Sequence, residues 1–128
     1  MDNITTRPVL STITEQEIAD GKMMGILAYI IFLVPLLAAR ENKFAMFHTE
    51  QSIILLVVFF VFYIAIWILT FIIGQISSTL ACGISILMIV PWILYLVLWI
   101  MGIINAAGGK VKELPIVGKY GSKLNLVK

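Results

Sequence analysis

"KMMGILAYIIFLVPLLAAR" occupies residues 22–40, and the reading of its uncharged stretch, Met23 to Ala39, decides the fold. A helix needs roughly 17–25 apolar residues to cross a hydrocarbon core of about 30 Å. The stretch meets the lower limit when Lys22 and Arg40 snorkel to the two interfaces, and it is therefore expected to be a first membrane span. Its upstream flank "TITEQEIADGK" carries Glu15, Glu17 and Asp20 where a signal peptide has positive charge, so the span is read as retained. Within that flank, Thr14 and Glu17 have the capping-box spacing, which predicts a helix that begins before the membrane does.

Two further runs follow. "SIILLVVFFVFYIAIWILTFIIG", Ser52 to Gly74, is rich in β-branched and aromatic residues but far too long for a strand. "LACGISILMIVPWILYLVLWIMGIINAA", Leu80 to Ala107, overruns one span and contains Pro91. The carbonyl that Pro91 leaves unpaired is absorbed by neighbours or a local adjustment, so a kink is expected rather than a break. The expectation is thus an all-α integral membrane protein with three transmembrane helices, at about 23–39, 52–74 and 80–107.

The whole composition agrees. With 61% hydrophobic and 12% charged residues and a mean hydropathy of +1.06, the chain lies far from a soluble globular average. At 128 residues it forms one domain, read as 14–119, between a mobile N-terminal tail, 1–13, and a C-terminal tail, 120–128. A net charge of +2 is too small to suggest nucleic acid, and none is expected as a partner; the lone Cys82 excludes an intramolecular disulfide or a cysteine metal cluster. Three spans put the N-terminus on one side and residues 40–51 and the C-terminus on the other. Arg40, Lys43, Lys110, Lys112, Lys119, Lys123 and Lys128 share that second side. The positive-inside rule then places the C-terminus in the cytoplasm and the N-terminus outside, in the cell's plasma or inner membrane.

"ENKFAMFHTEQ", residues 41–51, holds the only histidine, His48. Asn42 is a good N-cap, and nothing after Lys43 interrupts a helix until the second span is complete. The expected element is an interfacial helix entrance, with Phe44 and Phe47 dipped into the acyl boundary and His48 at headgroup depth. A catalytic His48 would need a nucleophile and an orienting group, and Glu50 points to another side of the helix than Ser52. A metal site would need three or four ligands, which one His and one Cys do not supply. "GGKVK" and "VGKYG" lack the glycine that a phosphate-cradling loop places before its Gly-Lys pair. No cofactor is expected, and His48 is read as structural.

The end of the third run, "GIINAAGGKVKELPIVGK" at 102–119, is the other informative stretch. Gly102 and Ala106 are spaced for close helix approach, and Asn105 beside them is placed to hydrogen-bond across that contact. If the approaching face belongs to a second copy, the product is an isologous dimer. Gly108 and Gly109 stop the helix, Lys110 and Lys112 suit its negative end, and Pro115 and Gly118 form a turn in a surface tail with Ile116 and Val117 at the membrane.

Together, Phe44, Ala45, Phe47, His48 and Gln51, then Gly102, Asn105, Lys110, Pro115, Gly118 and Lys119, resemble the hallmarks of a bacterial and archaeal family of small membrane proteins. That family is related to a chloroplast inner-envelope protein-import component and to certain magnetosome membrane proteins. The resemblance covers about Gly25 to Lys119, with Pro35 in keeping. Met46 and Glu50 depart from its pattern, which has a basic residue at the first position and Asn or Lys at the second. It implies a channel or scaffold component on the chloroplast side and an assembly role on the magnetosome side. The leading expectation is a non-catalytic multi-pass scaffold or accessory subunit that works with the lipid bilayer and either a second copy or another membrane protein. The alternative is a subunit of an oligomeric translocation or transport component. Against it, the three apolar runs contain no Asp, Glu, Lys or Arg, where ion and proton pathways carry such residues.

Overall fold

The computed structural model describes residues 8–127, and every regular element among them is helical. Five α-helices follow in order: α1 (Glu15–Leu27), α2 (Leu33–Ala38), α3 (Lys43–Gly74), α4 (Ser78–Ser85) and α5 (Ile89–Ala107). Short 3₁₀ turns lie at Pro8–Thr12, Ile86–Met88 and Gly118–Leu124.

Two runs are long and apolar enough to cross a membrane, Lys43–Gly74 and Ser78–Ala107. The first apolar segment is not a third. It leaves the helical path at Tyr29–Phe32, and α2 turns back. Pro35 supplies a reason: in an unbroken helix its ring would strike the carbonyl of Ile31, four residues earlier. At the start of short α2, by contrast, its missing N–H costs no helical bond. The segment therefore ends where it began. Asn42 Nδ2 donates to the Glu17 carbonyl at 3.0 Å, and the Lys43 N–H donates to Glu17 Oε2 at 2.7 Å. Asn42 also fills the space beside Gly21, where a Cβ would overlap its side chain. The two flanks of the hairpin thus meet at one end of the bundle, and the expected three spans are corrected to two helices long and apolar enough to span and a helical hairpin. The N-terminus expected outside followed from an odd number of spans and loses that support.

The helix caps form as the sequence predicts. Thr14 accepts from the Glu17 N–H at 3.1 Å and Asn42 from the Ala45 N–H at 2.9 Å. Glu17 does not close the capping box, because its carboxylate is engaged with Lys43. Pro91 sits in the first turn of α5, and the Ile86–Met88 3₁₀ turn just before it keeps the helical run continuous. Gly109 alone takes the positive φ that ends α5, at 71°.

The core is concentrated at the hairpin end. From Phe44 to Gln51 every residue of α3 has no exposed surface, whereas beyond Leu55 none is buried. Tyr29, Leu55, Ala106, Leu114 and Val117 form one cluster there, and Leu10, Met46, Phe47 and Val127 another. Leu10 and Val127 belong to the stretches expected to be tails. The part of the N-terminal tail that is described, from Pro8, is docked through Leu10, and residues 1–7 lie outside the described residues. Farther along the spans, Phe59 of α3 meets Trp92 and Tyr95 of α5, each at 5.0 Å between ring centroids.

Candidate functional site

The helix entrance "FAMFHTEQ" is not an interfacial surface. Phe44, Phe47 and His48 are fully enclosed by α1 on one side and by the chain after α5 on the other, which corrects the expectation of rings dipping into lipid. Gly25 lets α1 come close, since a Cβ there would lie 3.1 Å from the Phe44 ring. Phe44 and Phe47 present their rings edgewise to the imidazole, with centroids 4.8 and 5.2 Å away, an arrangement that aromatic quadrupoles favour.

His48 bridges three parts of the chain. Its Nε2 lies 2.8 Å from the Lys110 carbonyl, and its Nδ1 lies 2.8 Å from the Tyr29 hydroxyl. A carbonyl only accepts, so Nε2 carries the proton, and in the neutral ring Nδ1 accepts from Tyr29. Both nitrogens are thereby engaged. Tyr29 is fixed in turn, because Trp99 Nε1 donates to its backbone carbonyl at 2.7 Å, satisfying a peptide group at the tip of the hairpin.

One turn on, Gln51 reads the backbone of the C-terminal segment in both directions. Its Oε1 accepts from the Leu114 N–H at 2.9 Å and its Nε2 donates to the Gly118 carbonyl at 3.0 Å. The turn between them follows from Pro115 and from Gly118, whose N–H returns to the Leu114 carbonyl at 3.0 Å. A Cβ on Gly118 would overlap Gln51, so the residue type is set by that close approach. Ile116, at φ 68° and 81% exposed, projects outward, while Val117 turns into the core. Glu50, on the side of the helix away from Ser52, accepts from the N–H groups of Leu126 and Val127 at 2.7 and 3.1 Å.

The expected site residues therefore gather at one place. His48 and Gln51, packed with Phe44 and Phe47, meet the Lys110 carbonyl and the Leu114–Gly118 turn, in which Pro115 is itself exposed; Lys110 and Asn105 act there through backbone carbonyls. Asn105 accepts from the Lys110 N–H at 2.8 Å and so shapes the exit from α5. Gly102 and Ala106 do permit a close approach, but the partner is Tyr29 of the same chain: a Cβ on Gly102 would overlap its ring. That occupies the face on which the sequence placed an isologous dimer. Sequence reasoning missed Tyr29, Trp99 and the role of Glu50. Tyr29 was open to suspicion as the single hydroxyl-bearing residue between Lys22 and Arg40. Among the described residues no group of three or more His, Cys, Asp or Glu is placed to hold a metal.

The profile of the magnetosome magnetite crystal formation protein family matches residues 20–120, from the hairpin through the Gln51-bound turn. The chain belongs to that family. The match spans both informative motifs and the buried cluster that joins them, and it supports the magnetosome side of the resemblance; it carries nothing on the chloroplast import side. No curated protein and no solved structure matches the chain.

Proposed function

We propose that this family member is a non-catalytic multi-pass membrane protein that works by association, as a scaffold or accessory subunit of a specialised membrane. One observation carries the reading: the dense polar set of the helix entrance binds the chain's own backbone. His48, Glu50 and Gln51 hold Lys110, the Leu114–Gly118 turn and the backbone at Leu126 and Val127, and both imidazole nitrogens are taken. Such a cluster fixes shape. The partners implied are the lipid bilayer and a second membrane protein, a further copy of the chain included.

The same reading assigns an orientation. No Lys or Arg occurs between Lys43 and Lys110, so the loop at 75–77 carries no positive charge, and the seven basic residues among those described all belong to the other end. The positive-inside rule then puts both termini in the cytoplasm. Complementation of a deletion strain tests the functional reading. His48→Gln, which keeps a donor and an acceptor, should retain most function at a normal protein level. A fully folded His48→Gln protein with all function gone would point instead to proton transfer.

A further inference from the structure

The two ends of this protein differ in girth. At the hairpin end, the first turns of α3 and the last turns of α5 are surrounded by α1, α2 and the 3₁₀ turns Pro8–Thr12 and Gly118–Leu124. At the other end, among the described residues, only α3 meets the α4–α5 run, and α4 has no buried residue.

The hairpin is built for hydrocarbon. Met23, Ile30, Ile31, Leu33 and Leu37 are 51–81% exposed, and no charge interrupts the sequence from Lys22 to Arg40. An apolar surface of this kind is not left to water. Its depth is limited: the rise from Lys22 to Ile31 is about 13 Å at 1.5 Å per residue. The hydrocarbon core is about 30 Å thick, so the hairpin reaches through about one leaflet. Part of its turn is bonded within the protein: the Ile31 N–H donates to the Leu27 carbonyl, the Val34 N–H to the Ile31 carbonyl and Trp99 Nε1 to the Tyr29 carbonyl. Lys22 and Arg40 flank it, and its two feet meet where Asn42 bonds the Glu17 carbonyl.

We propose that the protein is a one-leaflet wedge whose partner is a curved bilayer, with the leaflet that holds the hairpin convex. Added cross-section in one leaflet compresses lipid in a flat membrane, and convex curvature relieves it, as for other interfacial helical insertions. The proposal rests on the two-span reading but not on which end faces the cytoplasm.

Reconstitution into vesicles of two sizes tests it, with single cysteines placed in a Cys82→Ala background. Ser78→Cys reports the narrow end, and Ser11→Cys and Lys123→Cys report the broad end; all three positions are exposed. In vesicles about 200 nm across, an impermeant maleimide should reach Ser78→Cys in a substantial share of molecules. In vesicles about 30 nm across, that share should fall at least about threefold, while Ser11→Cys and Lys123→Cys rise together. A share independent of vesicle size, with Ser11→Cys and Lys123→Cys still matched, would overturn the wedge and leave two spans standing, something other than lipid then covering the hairpin. Opposite accessibility of Ser11→Cys and Lys123→Cys would overturn both.

Discussion

Replacing Gly102 with alanine isolates the contact that holds the hairpin to α5. The new methyl would overlap the Tyr29 ring, which cannot yield freely because its hydroxyl is bonded to His48 and its carbonyl to Trp99. Overpacking of this kind costs about 1–3 kcal/mol. Turning the ring away breaks the bond to Nδ1 and leaves a buried acceptor unpaired, about 1–3 kcal/mol more. Alanine returns about 1 kcal/mol of helix propensity. The net loss expected is about 1–5 kcal/mol, read as a lower unfolding midpoint in detergent. Gly83→Ala is the control, because nothing lies within 4 Å of a Cβ at that position. Its midpoint should be unchanged or higher. Tyr29→Leu, by removing the struck ring, should absorb much of the Gly102→Ala penalty in a double-mutant cycle. A Gly102→Ala protein as stable as the wild type, but with fewer intermolecular cross-links, would refute the argument and restore the dimer face.

Three further outcomes follow from the buried cluster. His48→Ala leaves the Lys110 carbonyl and the Tyr29 hydroxyl unpaired and should cost about 2–5 kcal/mol by denaturant titration, with His48→Gln recovering part of it. Gln51→Glu sets an acceptor against the Gly118 carbonyl, and trypsin should then cut at Lys119 and Lys123 at least about tenfold faster than in the wild type, a change of about 1.4 kcal/mol in the opening of the segment. Glu50→Ala should speed hydrogen exchange at Leu126 and Val127 selectively, leaving the amides of α5 as protected as before.

Much of this fold was legible in the sequence wherever the signal is local. Thr14 and Asn42 cap as their spacing indicates, the two helices long and apolar enough to span a membrane are the two longest apolar runs, and Gly102 with Ala106 does mark a close helix contact. The hairpin was missed because apolar length counts residues and not direction. Seventeen uncharged positions fit one thin crossing or one shallow re-entrant turn equally well, and the ring of Pro35 against the Ile31 carbonyl is the physical detail that separates them. His48 was placed at a wet interface for a different reason. Its cover comes from Lys110, 62 residues away, through a backbone carbonyl that no side-chain pattern announces. Gln51 and Gly118 show the same limit, since each residue type follows from a contact formed only after the C-terminal segment folds back.

The central claim is that the first apolar segment enters and leaves the membrane on one side. Single cysteines at Ser11 and Lys123 in a Cys82→Ala protein, compared with Ser78→Cys, test it in intact cells. An impermeant maleimide applied from outside should label Ser78→Cys and neither of the others, and both should label once the membrane is opened. Labelling of Ser11→Cys from outside, with Lys123→Cys still protected, would mean that residues 23–39 cross the bilayer and would contradict the account.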